Sequence, residues 1–461
     1  MDTSTDTPRD THHSRASPHR LVTLVAVAVG FIMAMLDVTI VNVALKTMQT
    51  SLSMSLTALV WVVDAYTLSF AALLLFGGAC ANRVGAKRIY LCGLAIFVVA
   101  SLLCGVSLNA AMLLFARLLQ GVGAALFMPS SLSLLTEAFP VGPTRTKMIG
   151  IWGALVSAAM ALGPLCGGVL IASFGWRSIF LVNLPIGVAG LWLARRCIAE
   201  SPRVPRRLNA MGHVFGVIGL GALSYALIEG PATGWTAPVI VACIGVALLS
   251  ACAFIVRERH AQERIFPLSL IAERQFSGGT LVGLLINFAV FAEIFQLSLF
   301  LQHVRNASPL QVGLQLSPLM ALFAVGNLSS ARVSARFGAR RALLGGLSVA
   351  TLASLSLFYL PAMPFAMIAC LVGVANLGAG EAIPAMNLAV MQAAGAQHSN
   401  IAAATLNASR QIGSLLGVAV MSIILQATVS MVRAASVSFI VIALAFLLSA
   451  LVVLRTFRPL P

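Results

Sequence analysis

Fourteen apolar runs, most near 20 residues long, follow one another with short polar breaks. They lie at about 21–44, 58–80, 88–107, 110–137, 147–172, 178–197, 209–229, 237–256, 276–302, 310–332, 341–360, 364–391, 401–428 and 434–454. A helix rises about 1.5 Å per residue and the hydrocarbon core of a bilayer is about 30 Å thick, so each run reads as one crossing. Without water to satisfy backbone groups, such crossings must be helical. Only 9% of the 461 residues are charged and 59% are hydrophobic, with a mean hydropathy of +0.98. Soluble proteins carry roughly 25% charged residues, so a water-soluble globule is excluded. The expected fold class is an all-α polytopic membrane protein with 14 transmembrane helices. The first apolar run exceeds the roughly 7–15 residues of a cleaved signal core, so it reads as a retained span after a disordered cytosolic tail, 1–20.

Charge placement orients the spans. The net charge of +16 would suit a nucleic-acid partner, but 23 of the 29 Lys and Arg fall on the side of the termini. Lys46, Arg177, Arg305 and Arg433 fall on the other side, and Arg117 and Arg410 lie inside spans. That bias predicts both termini in the cytoplasm, and it argues against nucleic acid. Eight cysteines without CxxC spacing read as small hydrophobes, and the histidines cluster in the tail or at span ends, so neither disulfides nor a metal site is expected. No GxxxxGK[ST] loop occurs, which disfavours an ATP-driven pump; no cofactor is expected.

Arg83-Val84-Gly85-Ala86-Lys87-Arg88 after span 2 recurs as Arg336-Phe337-Gly338-Ala339-Arg340-Arg341 after span 10. Gly123-Ala124…Pro129 in span 4 is echoed by Gly378-Ala379…Pro384 in span 12. Parallel repeats of this kind build transporters around a central site. The expected organisation is a six-helix bundle over 21–200, two additional central-linker helices with basic linkers over 201–274, and a second six-helix bundle over 275–461. The two extra helices are expected at the periphery.

Span 5 carries Ala159, Gly163 and Gly167 at every fourth position, a small-residue strip that lets another helix backbone approach closely. Pro164 removes a backbone donor and bends the helix. A bent helix with a bare face suits two bundles that rock against each other, although a static helix pair would show the same strip.

These residues resemble the major facilitator superfamily, in particular its fourteen-span drug:proton antiporters. The likeness rests on Leu36-Asp37-Val38-Thr39-Ile40-Val41-Asn42-Val43-Ala44-Leu45 in span 1 and on Gly78-Ala79-Cys80-Ala81-Asn82-Arg83-Val84-Gly85-Ala86-Lys87-Arg88 in the following loop. It rests also on Arg117-Leu118-Leu119-Gln120-Gly121 in span 4, Gly163-Pro164-Leu165-Cys166-Gly167-Gly168 in span 5 and Trp176-Arg177-Ser178-Ile179-Phe180-Leu181-Val182-Asn183 in span 6. The resemblance implies conformational roles for Gly78, Asn82, Arg83, Gly85, Lys87, Arg88, Gly163, Pro164, Gly167 and Gly168, a proton-transfer role for Arg117, and export as the direction. Two positions depart from the pattern. Asn82 stands where an Asp is usual, which removes a charge-pair latch, and Lys46 follows Leu45 where a Pro is usual.

Ionisable side chains inside a bilayer are costly, roughly 3 kcal/mol each on insertion scales, and are functional candidates by default. Asp37 in span 1 and Arg117 in span 4 fall at one depth, so they are expected to meet, either as a coupling pair or as a permanent packing pair. Burial and a guanidinium act in opposite directions on a carboxylate's hold on its proton, which suits a relay. Glu381 in span 12 and Arg410 in span 13 are level as well and form a second candidate pair. Glu293, with Gln296 one turn on, makes a polar face in span 9 for protons or a cationic substrate, or simply for a water-filled cavity. Asn42, Gln120 and Asn287 are candidate substrate contacts, and Asp64 reads as a solvated rim residue.

With the resemblance added, the expected activity is proton-coupled export of amphipathic or cationic small molecules by alternating access, in a monomer of the bacterial inner membrane. The alternative is another secondary transporter on the same scaffold, a dedicated metabolite exporter or a symporter. An enzyme would need a nucleophile–base or metal constellation, and none is legible.

Overall fold

The computed structural model describes residues 18–139, 142–201, 210–260 and 268–457. Its helices in chain order are α1 (Pro18–Ser51), α2 (Leu56–Val84), α3 (Ala86–Gly105), α4 (Ala110–Ala138), α5 (Pro143–Phe174), α6 (Ser178–Leu181), α7 (Asn183–Cys197) and α8 (Ala210–Thr233). They continue as α9 (Pro238–His260), α10 (Leu268–Ala272), α11 (Arg274–Leu299), α12 (Pro309–Phe337), α13 (Ala339–Ser356), α14 (Phe365–Ala427) and α15 (Met431–Thr456). Among the described residues, fourteen stretches are long and apolar enough to cross a membrane, at the expected positions. Of the tail expected over 1–20, residues 1–17 lie outside the described residues.

Local chemistry sets where the helices start and stop. Ser55, Asn109 and Ser430 each cap the helix that follows by accepting from a backbone N–H, and Ser308 forms a reciprocal capping box with Gln311. The sixth crossing is broken into α6 and α7 because Pro185 cannot donate to the preceding turn. The helix α14 holds two crossings, Phe365–Gly395 and Ile401–Ala427, parted where Gly395 takes φ +70°. The helix α1 runs on past Lys46 to Ser51 rather than stopping near Leu45.

The sequence repeat is a structural repeat. Gly85 (φ +107°) and Gly338 (φ +83°) make equivalent turns, α2 to α3 and α12 to α13, in a region where a side chain would be strained. A Cβ on Gly93 would stand 2.7 Å from the Gly123 carbonyl oxygen, and one on Gly346 would stand 2.6 Å from that of Gly378. The two motifs thus place the same backbone-to-backbone crossing, α3 on α4 and α13 on α14, in each half.

In the N-terminal half, α1 packs on α4, α5 and α7, while α4 packs on α2 and α3. In the C-terminal half, α11, α12 and α13 all pack on α14, and α15 covers α11 and α13. The halves meet along α5–α12 and α2–α14, with a smaller contact of α1 on α11. Of the two extra crossings, α9 is peripheral as expected: it packs on α8, and only 11% of its apolar window is buried. The expectation fails for α8, which rests on both α2 and α14. It is tied to α2 by the Trp61 indole N–H donating to Glu229 Oε1 at 2.8 Å, and by the Phe76 and His213 rings, 5.5 Å apart edge to face.

The small-residue strip on α5 is divided between two partners. A Cβ on Gly163 would collide with Thr39, and one on Gly167 would stand 2.6 Å from Ile40, so this face packs on α1 of the same half. The crossing to the other half uses the neighbouring face. There a Cβ on Gly168 would stand 2.8 Å from the Pro309 carbonyl oxygen, and Gly313 of α12 lies against the Pro164 carbonyl. Lower on α5, Gly150 and Gly153 have nothing within 4 Å of such a Cβ, so the helix leaves its neighbours toward the end that carries the basic loops.

Candidate functional site

The expected meeting of Asp37 and Arg117 is present and dry. Both side chains are 1% exposed, and Arg117 Nη1 donates to Asp37 Oδ2 at 2.5 Å. Arg117 Nε donates to the Val62 carbonyl at 2.9 Å, and the guanidinium lies 4.7 Å from the centre of the Tyr66 ring. Gln120, one turn below Arg117, completes the network. Its Oε1 accepts from Arg117 (2.9 Å) and from the Cys104 thiol (3.3 Å), while its Nε2 donates to Asp37 Oδ1 (3.3 Å) and to the Ser101 hydroxyl (2.8 Å). Both donors and both lone pairs of Gln120 are used within this network, so the structure places it against the ion pair. Charge-assisted bonds in so dry a place are strong, and Asp37 has both oxygens satisfied.

The second expected pair does not form. Among the described residues, neither Glu381 nor Arg410 has an ion-pair partner. Glu381 is half-buried, and Arg410 lies against Gly283 and Met386 with its Nε unpartnered. Equal depth did not bring the two together, because depth along a span does not set the direction a side chain faces. Glu293 instead pairs with a residue the sequence reading missed: Asn376 Nδ2 donates to Glu293 Oε1 at 2.7 Å, joining α11 to α14. A single Asn inside a Leu- and Val-rich run carried no signal of that role.

Gln296 is buried with its Oε1 unpartnered, and so is Asn42 Oδ1. Buried acceptors without donors mark places where water or a ligand belongs. Asn42 Nδ2 donates to the Val38 carbonyl and Asn287 Nδ2 to the Gly283 carbonyl, each inside its own helix.

A polar clasp joins the halves at the ends of α1 and α11, away from the termini. Ser298 Oγ and Gln302 Nε2 both donate to the Asn42 carbonyl, at 2.7 and 3.0 Å. The Lys46 backbone N–H donates to Gln302 Oε1 at 3.0 Å, and its ammonium donates to the Gln302 carbonyl (2.5 Å) and Asn306 Oδ1 (3.3 Å). The carbonyl is available because the helix ends in the π-turn Phe300–Val304, whose last carbonyls have no intrahelical partner. Beside the clasp, the Leu165 N–H donates to Ser317 Oγ at 2.9 Å, from α5 to α12. At the other end, Lys87 and Arg88 pair with Glu200 at 3.4 and 3.6 Å within one half, and Asn82 is exposed. Gly78 leaves a Cβ 3.8 Å from Pro129, an ordinary contact.

A repeated six-helix half, a buried acid–base pair in the first copy and a seam closed at one end describe a transport scaffold. The family model for the Major Facilitator Superfamily matches residues 27–418. The chain belongs to that superfamily. Among curated relatives, the methylenomycin A resistance protein of Bacillus subtilis (strain 168) is 48% identical over 432 residues, 93% of each chain. That of Streptomyces coelicolor is 46% identical over 431 residues, 93% of this chain and 91% of the relative. The tetracenomycin C resistance and export protein of Streptomyces glaucescens is 32% identical over 93% of this chain and 81% of its own. Among solved structures, a bacterial homologue of the human lysosomal transporter Spinster superposes with a TM-score of 0.70 at 16% identity. The match covers 97% of this chain and 100% of that one, a likeness of fold. For this superfamily member the network around Arg117 is the part of the site most completely built by its own residues.

Proposed function

We propose that the protein is a proton-coupled exporter of small antibacterial molecules, working by alternating access between halves bounded as 21–200 and 275–461. The observation that carries the proposal is the Asp37–Arg117–Gln120 network: a buried carboxylate held by one arginine in the half that crosses α12 through a bent helix. In this reading Asp37 exchanges a proton when Arg117 swings away. Glu293 and Arg410 supply further charge in the other half, with Glu381 at the exposed edge. Asn42, Asn287 and Gln296 line the substrate path. The resistance relatives support export, and the Lys/Arg asymmetry supports termini in the cytoplasm of a bacterial inner membrane. The clasp at Lys46 then seals the outer face, and Gly150 and Gly153 line the side open to the cytoplasm.

The test uses inside-out vesicles, an imposed pH gradient, and a panel of cationic and neutral dyes with methylenomycin A. Gradient-dependent accumulation that a protonophore collapses and Asp37→Asn abolishes is the expected result. Accumulation by Asp37→Asn at the wild-type rate would overturn the role of the pair. No accumulation of any compound would favour a dedicated transporter of a narrow metabolite.

A further inference from the structure

After residue 275 the sequence carries two acids, Glu293 and Glu381, and neither neutralises Arg410. Glu293 lies ten residues beyond Gly283, where the Arg410 stem packs, which is about 15 Å along α11, and it holds Asn376. Among the described residues, Glu381 makes no ion pair and the Arg410 side chain donates no hydrogen bond.

The stem of this arginine is packed, and its head is not. A Cβ on Gly283 would stand 3.3 Å from Arg410 Cγ, 3.3 Å from Met386 Sδ and 2.8 Å from Leu406 Cδ1, so α11 and both crossings of α14 close around the methylenes. One turn on, a Cβ on Gly413 would collide with the Leu284 carbonyl, which holds the two helices backbone to backbone. The residue as a whole is half-buried, with Nε enclosed and without a partner. Arg410 lies nine residues beyond Ile401, where its crossing begins, or about 13 Å along the span. Exposure at that depth is exposure to lipid or to an internal water-filled space. A guanidinium with its donors free does not face hydrocarbon, so it opens into the bundle. Beside it, the Ser409 hydroxyl donates to the Thr280 carbonyl at 3.0 Å, and the Thr280 hydroxyl is itself enclosed without a partner. Polar groups left unsatisfied inside a protein mark a place for water or a ligand, and here the ligand is one that accepts.

We propose that Arg410 is the docking point for an anionic group on the transported molecule, so that small organic acids are carried as their carboxylates. A carboxylate accepts two parallel N–H bonds from one guanidinium, and it supplies the opposite charge that the C-terminal half lacks at this level. A lipid phosphate stays at the membrane surface, so the anion is a small diffusible one. This inference rests on the exporter reading and adds acids to the substrates which that reading covers.

The experiment measures binding in nanodiscs, with no gradient imposed. Dansylglycine and dansylglycinamide differ in the carboxylate alone, and the fluorescence anisotropy of each is titrated with protein and with empty nanodiscs. Wild type is expected to bind the acid about ten-fold tighter than the amide, the worth of one charged hydrogen bond. Arg410→Gln is expected to lose that preference with its affinity for the amide unchanged, while Arg410→Lys keeps a preference for the acid. Since Arg410→Gln gives up no internal hydrogen bond, its unfolding temperature is expected to hold, and dansylglycine should raise that of wild type alone. Aggregation of Arg410→Gln, or a sharp fall in its unfolding temperature, would show a structural arginine and overturn the proposal. Wild type that binds the two probes alike or binds neither overturns it too, as does an Arg410→Gln protein that still prefers the acid. Proton-coupled export is read separately in the vesicle assay, so either result can fail without the other.

Discussion

Arg117 makes hydrogen bonds to Asp37, Gln120 and the Val62 carbonyl and stacks on Tyr66, all within an apolar shell. Removing one member of such a buried pair leaves the other charge uncompensated, which is destabilising by about 3–5 kcal/mol. Arg117→Met is therefore expected to lower the unfolding temperature sharply, whereas Asp37→Asn/Arg117→Gln regains much of that loss while remaining inactive in export. A double-mutant cycle on thermal unfolding measures the coupling. If the double variant is no more stable than Arg117→Met, the pair is not the stabilising unit described here. At Glu293 the expectation is milder. Glu293→Gln keeps an acceptor for Asn376, so stability should change by less than about 1 kcal/mol. Uptake of cationic dyes should fall relative to neutral ones, and an unchanged ratio would remove Glu293 from the substrate path.

Between helices, the seal at the end away from the termini is made of two unlike contacts. One is polar and reversible, Lys46 on the π-turn of α11; the other is backbone on backbone, Gly168 against Pro309 and Leu310. Lys46→Met removes the ammonium bonds without adding bulk. It is expected to raise the rate at which a membrane-impermeant thiol reagent reaches a cysteine placed at Ala44. Gly168→Val adds bulk where there is no room, at a cost of about 1–3 kcal/mol to the sealed state alone. The same reagent should report an open outer face, with total expression unchanged. Gly163→Val differs: it strikes Thr39 inside one half, so loss of folded protein, rather than a trapped open state, is the expected result.

Across the whole molecule, the two halves repeat a design but not its chemistry. The N-terminal half holds a paired, dry Asp37 and Arg117, while the C-terminal half keeps Glu381 half-buried and Arg410 without an ion-pair partner among the described residues. The crossing α8 bridges α2 and α14, so the proposed movement of one half against the other would either carry it with one half or let it slide. Its indole–carboxylate bond to α2 favours the first. Trp61→Phe should weaken that attachment by about 1 kcal/mol and slow transport without abolishing it, as read by initial dye uptake. A complete loss would mean that α8 belongs to the transport path itself.

Hydrophobic run length alone determined the fourteen crossings, since a bilayer tolerates little but helices of one length, and the paired glycine loops alone determined the repeat. Depth along a span follows from the residue number, so the meeting of Asp37 with Arg117 was legible as well. The direction a side chain faces does not follow in the same way. In a chain apolar on every side, helix periodicity marks no inner face, and only packing decides it. Tertiary structure alone therefore separated Glu381 from Arg410, joined Glu293 to Asn376, set Gln120 on the ion pair and buried Asp64, which the sequence placed at a solvated rim.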